Sequence, residues 1–166
     1  IKANMLKYHW NKPVWLTECG FHTAKDTVDN TNKKFFTVVV PAALQKAGYR
    51  MKGLSYGVIS DARNQYTTLG DDEVQAYITD LGAHPVYITL DQVGTLDPHT
   101  VPVLVVTRDE GFQIDYFNGI LNYVKRGGTI ILPYGAPFYY GTSNGKTITY
   151  GQRFVNQLHI GELYWW

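Results

Sequence analysis

VPVLVVT, residues 101–107, is the clearest candidate for a strand in the chain, and it ends at Arg108-Asp109-Glu110. A run this rich in Val and Leu is typical of a strand that is buried on both faces, as in a parallel sheet covered by helices. Shorter strands are predicted around it at residues 13–17, 54–60, 85–90 and 129–132.

Helices are predicted between these strands. The segments with helical periodicity or end signals are residues 32–47, 71–81, 114–125 and 151–158. Pro41 is expected to kink or split the first of them, because its ring removes a backbone donor. Ser143-Asn144-Gly145 is the expected tip of a hairpin. The alternation of strands and helices predicts an α/β fold, with an open, mostly parallel, doubly wound sheet and helices on both faces.

Composition excludes several classes of protein. Hydrophobic residues make up 45% and charged residues 17% of the 166 residues, which is typical of a soluble globular chain rather than a disordered one. The net charge of +1 and the lack of a basic cluster speak against nucleic-acid binding. The longest apolar run, 35–40, is too short to cross a membrane. The single cysteine, Cys19, allows no intrachain disulfide and no cysteine-based zinc site.

Candidate site residues follow from the expected sheet. In an open α/β sheet, ligands bind beyond the carboxyl ends of the strands. The residues that stand at such ends are Glu18, Asp61, Asp91, Asp109, Glu110 and Tyr134. No glycine-rich phosphate loop follows a strand and the histidines are scattered, so no cofactor and no metal are predicted. Glu18, with Trp15 and His22 beside it, fits a glycosidase nucleophile, and the alternative is a strand-end acid that caps a helix or pairs with a base.

The segments Lys12–Gly20 and Gly53–Asp61 resemble the seventh and eighth strands of clan A glycoside hydrolases, especially β-xylosidase-like members. This resemblance covers residues 10–65 and implies that Glu18 is the nucleophile and that Asp61 lines the sugar site. Gly57 stands where many relatives carry a sugar-stacking Trp. The strand that supplies the acid/base has no counterpart here, and retaining hydrolysis needs two carboxyl groups about 5 Å apart. The chain is therefore not expected to be an active glycosidase by itself.

Residues 54–140 resemble the flavodoxin-like domain of class I glutamine amidotransferases. In that family, a segment like Gly127–Gly135 would end in a catalytic cysteine, but the corresponding place here holds Tyr134 or Gly135. Without a thiolate, acyl transfer of that type is not expected. Such silent domains follow glycosidase barrels in some proteins. The two resemblances share strand 54–60, which cannot belong to both a barrel and an open sheet, and we favour one open sheet that includes residues 13–17.

The sequence thus predicts a segment of a carbohydrate-active protein. Residues 1–52 resemble the end of a glycosidase barrel, and residues 53–166 are expected to form a silent amidotransferase-like domain. The alternative is that the two parts form one continuous domain. Trp15, His22, Asp61, Asp109 and Tyr134 are the expected sugar contacts. The alternative is a non-catalytic ligand-binding or assembly module. The aromatic tail 163–166 is the expected contact with a second copy or with the missing barrel. The compartment stays open, with a secreted or extracytoplasmic location favoured.

Overall fold

The computed structural model describes residues 33–64, 70–107, 111–133, 138, 140–144, 146–150 and 156–158. The elements in chain order are a π-helical segment Phe35–Val39, α1 Val40–Lys46, β1 Ser55–Ile59, α2 Asp71–Asp80, β2 His84–Ile88, α3 Leu90–Val93, β3 Val103–Val106, β4 Gly111–Gln113, a 3-10 turn Ile114–Tyr116, α4 Phe117–Lys125, β5 Thr129–Ile131, β6 Tyr140–Ser143 and β7 Lys146–Tyr150. In this part of the chain, no helix combines the length and the hydropathy needed to span a membrane.

The main sheet has four strands in the order β2-β1-β3-β5, and all of its pairs are parallel. In β1, Tyr56 lies opposite Pro85 of β2 and Val103 of β3. All four residues of β3 are buried, because the strand has neighbours on both sides and helices above and below it. The prediction of an α/β fold with an open parallel sheet is confirmed.

Helices cover both faces of this sheet. On one face, Tyr56 and Val58 of β1 pack in one cluster with Phe36, Leu44 and residues of α2 such as Ile78. On the other face, the cluster contains side chains of β1, β2, β3, α3 and α4, namely Ile59, Ile88, Leu90, Val93, Leu104, Val106, Phe117, Ile120 and Leu121. The alternation of side chains along each strand therefore fills two cores, which is the doubly wound arrangement predicted from the sequence.

Gly57 lies in the interior of the sheet, where a side chain would crowd its apolar neighbours. A Cβ atom built on it would lie 2.9 Å from Leu104 Cδ1, 3.0 Å from Val101 Cγ1 and 3.2 Å from Ile88 Cγ1. A tryptophan, which many glycosidases of the resembling family carry here, could not be accommodated. Both neighbours of β1 follow it in the chain, and the described sheet ends at β2 and at β5, so the strand 54–60 belongs to an open sheet, the alternative favoured from the sequence.

Pro41 does not end its helix. The backbone N–H of Val40 donates to the carbonyl oxygen of Phe35, five residues back, and the wider π turn Phe35–Val39 leads directly into α1. Pro41 then occupies the first turn of α1, where a missing N–H is tolerated. The predicted irregularity is present, but it takes the form of a wide turn rather than a break.

A second, smaller sheet in the order β4-β6-β7 was not predicted as a sheet. The hairpin β6–β7 is antiparallel, as expected from its turn residues, and β4 adds to β6 in parallel. The predicted strand 85–90 also ends earlier, at Ile88, because Thr89 caps a short helix. The Thr89 N–H donates to Gln92 Oε1 at 2.9 Å. The predicted strand 13–17 lies outside the described residues.

Candidate ligand-binding site

The site lies at the carboxyl edge of the main sheet. The chain leaves β1 towards β2 on one side, and it later enters β3 on the other side of β1. The loops that follow β1 and β3 therefore diverge, and such a switch point is the usual place for a ligand in an open α/β sheet. The residues that surround it are Ser60, Asp61, Arg63, Asp71, Asp91, Thr107 and Tyr116.

Arg63 is the centre of a hydrogen-bonded group that joins three loops. Its Nε and Nη2 donate to the two carboxylate oxygens of Asp61, at 2.9 and 2.7 Å. Nη2 and Nη1 also donate to Asp91, which follows β2, at 2.9 and 3.4 Å. Nη1 donates to the Tyr116 hydroxyl at 2.7 Å, and that hydroxyl donates to Asp91 Oδ1 at 2.7 Å. The guanidinium carbon lies 5.0 Å from the centre of the Tyr116 ring. We call Asp61, Arg63, Asp91 and Tyr116 the arginine cluster.

The arginine cluster keeps both of its carboxylates ionised. The hydrogen bonds from the Arg63 side chain lower the pKa of Asp61 from 3.8 to about 2, and backbone N–H donors from Arg63 and Leu90 add to the effect. The same guanidinium lowers the pKa of Asp91, with help from the Tyr116 hydroxyl. Hydrogen bonds to Asp61 and Asp91 raise the pKa of Arg63, and hydrogen bonding to Asp91 raises the pKa of Tyr116. Charge-assisted bonds of this kind favour the charged forms.

A second hydrogen-bonded group joins the ends of β1 and β3 to the first turn of α2. The Ser60 hydroxyl donates to Asp71 Oδ2. The buried Thr107 hydroxyl lies 2.8 Å from Asp71 Oδ1 and 2.9 Å from the carbonyl oxygen of Ile59. Thr107 thus continues β3 by one residue with a polar side chain whose hydrogen bonds are satisfied, as burial requires.

The N-terminus of α2 carries its own carboxylates. Asp71, Asp72 and Glu73 form its first turn, and Glu73 Oε2 accepts a hydrogen bond from the Gly70 N–H at 2.9 Å. A helix N-terminus ordinarily attracts anions, but here side chains already supply that negative charge. An open cavity of about 540 Å³ lies beside this turn, between Ser60 and Tyr87. The arrangement disfavours a phosphate group.

Among the described residues, the carboxyl edge gathers more acceptors than donors. The carboxylates here are Asp61, Asp71, Asp72, Glu73 and Asp91, and the cation that accompanies them is Arg63. The exposed fraction of the side chain is 10% for Asp61, 42% for Arg63 and 67% for Asp91. Asp91 therefore presents an ionised, fixed carboxylate to solvent. No group of three or more metal-ligating side chains occurs in the described ranges.

The structure brings together two of the residues that the carboxyl-end rule selected, Asp61 and Asp91. Asp61 and Asp91 both contact Arg63, although their roles in binding stay predictions. Glu18, Trp15 and His22 lie outside the described residues, and so do Asp109, Glu110 and Tyr134. The sequence analysis missed Arg63 and Tyr116. Arg63 could have been found from the sequence, because it stands two residues after Asp61, the acid at the end of a predicted strand. No local sequence pattern indicates that Tyr116 lies at the site.

Comparison of the chain with protein-family models, with curated proteins and with solved structures gave no match.

Proposed function

We propose that the described α/β unit is a catalytically silent module of a carbohydrate-active protein, and that its carboxyl edge binds a ligand rich in hydroxyl groups. The observation that carries this proposal is the arginine cluster at the switch point of the sheet. It fixes carboxylates from two neighbouring loops in one place and leaves one of them, Asp91, 67% exposed. Fixed acceptors on a rigid sheet are what a neutral ligand with many hydroxyl groups needs for orientation.

The hydrogen-bond inventory sets the chemistry of the ligand. A guanidinium has five N–H groups, and each of those of Arg63 has an acceptor within the cluster. Arg63 therefore has no donor left for an anion. A carboxylate offers about four acceptor positions, and the Asp91 oxygens use three of them. The surface favours donors such as hydroxyl or ammonium groups, and it disfavours phosphates and carboxylates.

The proposal of catalytic silence rests on the amidotransferase-like elbow. The strand β5 runs from Thr129 to Ile131, and the resemblance implies that a reactive cysteine would be needed shortly after it in the sequence. The residue at that place is Tyr134 or Gly135, and the single cysteine of the sequence is Cys19. Acyl transfer through a thiolate at this elbow is therefore not part of the proposal.

The link to carbohydrate comes from two directions. Sugars present many hydroxyl donors and carry no phosphate, in agreement with the acceptor-rich edge. The segment around Glu18 resembles the nucleophile strand of clan A glycoside hydrolases. We include Glu18 as the nucleophile of a glycosidase site that would be complete only when the remaining barrel strands and the acid/base are supplied by other residues.

Binding is tested by following the NMR spectrum of the protein during titration with xylobiose, a neutral probe chosen from the β-xylosidase-like resemblance. The expected result is saturable shifts at Arg63 Nε–H and Tyr116, with inorganic phosphate producing none there. Asp91→Asn should weaken xylobiose binding about tenfold, because the fixed charge is lost. Asp80→Asn, at the far end of α2, is the matched control. Shifts that leave the arginine cluster untouched would refute the proposed site.

Catalysis is tested separately with aryl glycosides and with a mechanism-based fluorosugar followed by intact mass. The chain alone is expected to give neither turnover nor an adduct. An adduct on Glu18 would show that the segment is an autonomous retaining enzyme and would overturn the silent assignment.

A second candidate is an assembly module, favoured by the exposed side chains of Val86 and Tyr87 on β2, which lies at an edge of the described sheet. Strand addition is disfavoured there. The backbone N–H of His84 donates to the carbonyl oxygen of Leu54, before β1. The backbone N–H and C=O positions of the alternate residues Pro85 and Tyr87 therefore face away from β1, towards the open edge. Pro85 has no N–H to donate. Assembly through the aromatic tail remains a proposal, and sedimentation with and without residues 163–166 tests it, since an unchanged monomer in both would remove its support.

A further inference from the structure

The loop that carries Arg63 is anchored by the second sheet. Gln113, the last residue of β4, donates from its Nε2 to the backbone carbonyl oxygen of Arg63 at 2.7 Å. The same nitrogen donates to Thr142 Oγ1 of β6 at 2.8 Å. The backbone N–H of Gln113 donates to Asn64 Oδ1 at 3.0 Å. Two consecutive residues of the site loop are therefore bound by one residue of the second sheet.

This contact is buried, although its members are polar. The exposed fraction is 1% for Asn64, 6% for Gln113 and 0% for Thr142. A buried polar group that loses its partner costs about 1–3 kcal/mol, so such groups hold each other in defined positions. The loop itself is tight, because the Asn64 N–H donates to the Asp61 carbonyl oxygen at 3.1 Å. Its conformation is thus fixed from within and from the second sheet.

We propose that Gln113 is a positioning residue of the ligand site: its side-chain amide holds the backbone of Arg63 so that the guanidinium reaches Asp61 and Asp91 together. The second sheet, whose strands do not pair with those of the main sheet, would then serve the site. The positioning claim concerns Arg63 alone and needs no ligand. The consequence for binding rests on the proposed function.

The hydrogen bond to the Arg63 carbonyl oxygen acts on the residue that bears the guanidinium, whereas the bond to Thr142 acts within the second sheet. This difference supplies a matched pair of variants. Gln113→Met keeps the length of the side chain and the bond from its backbone N–H, and it removes both amide donors. Thr142→Val keeps the shape at position 142 and removes only the acceptor in β6, leaving the bond to Arg63.

The test follows the Asp61 carboxyl carbon by NMR through an acid titration of the full chain. In the wild type and in Thr142→Val, the pKa of Asp61 is expected to stay at about 2. In Gln113→Met, it is expected to rise towards 3.8, because Arg63 is no longer held against it. Exchange of the Arg63 Nε–H with solvent should be faster in Gln113→Met only. If Gln113→Met does not fold, Gln113→Leu serves in its place.

Equal rises of the Asp61 pKa in both variants would show a merely structural role and would overturn the inference. An unchanged pKa in Gln113→Met would overturn it as well. A raised pKa in Gln113→Met together with unaltered xylobiose binding supports the positioning role and contradicts the proposed ligand site, so the two failures are distinguishable.

Discussion

Replacing Arg63 with methionine tests the arginine cluster, because it removes every charged bond to Asp61 and Asp91 but keeps a long apolar stem. The pKa of Asp61 is lowered from 3.8 to about 2, chiefly by the Arg63 side chain. At about 1.4 kcal/mol per unit, this shift corresponds to at most ~2.5 kcal/mol. The cluster is open to solvent, with Arg63 42% exposed, so screening reduces the value to ~1 kcal/mol.

The loss should depend on pH in a defined direction. A carboxylate with a lowered pKa stabilises the folded state above its unfolded pKa, and this stabilisation disappears as the pH falls through the folded value. Urea unfolding should therefore find Arg63→Met less stable than wild type by ~1 kcal/mol at neutral pH. The difference should shrink below pH 3.8 and vanish as the pH falls below about 2, where folded Asp61 also becomes protonated.

Arg50→Met provides the control, because Arg50 is an exposed residue outside the arginine cluster. It should change stability little and without this pH dependence. The reasoning would be refuted if Arg63→Met differed from wild type equally at neutral pH and at pH 2, or if the Asp61 pKa stayed at about 2 without the guanidinium.

Two further predictions concern the support of the site. Gly128→Ala should lower the free energy of unfolding by ~2–3 kcal/mol in urea titrations, because its Cβ would lie 2.2 Å from the ring of the buried Tyr123. The hydroxyl of that ring donates to the carbonyl oxygen of Val101. A variant as stable as the wild type would contradict this packing. Thr107→Val should cost ~1–3 kcal/mol and make the backbone amides at the start of α2 exchange faster, since Asp71 loses a buried partner. Thr100→Val, at an exposed position, is the comparison, and equal effects would contradict the special role of Thr107.

The main sheet could be predicted because its signals are local. The apolar run 101–107 and its shorter companions specify strands that are buried on two faces, and the glycines Gly48, Gly82 and Gly127 follow helices in the left-handed conformation that favours them. The smaller sheet could not be predicted in this way. Its strand β4 has only three residues, Gly111–Gln113, which is too short for a sequence pattern. The strand pairs with β6, which lies much later in the chain.

The candidate site was predicted in part for a related reason. The positions of Asp61 and Asp91 follow from where strands end, and parallel strands bring their carboxyl ends to one edge. The bond from Arg63 to Tyr116 spans 53 residues and depends on the strand order, which the sequence did not specify. The hydrogen bonds of Gln113 have the same dependence on tertiary structure.

A crystal structure of the chain soaked with xylobiose tests the proposed function most directly. We expect the sugar at the carboxyl edge of β1 and β2, with a hydroxyl group within hydrogen-bond distance of Asp91 and the Arg63–Asp61 pair unchanged. A sugar bound at the opposite edge of the sheet would contradict the proposal. So would an empty carboxyl edge in the soaked crystals, if the protein also binds no xylobiose in solution.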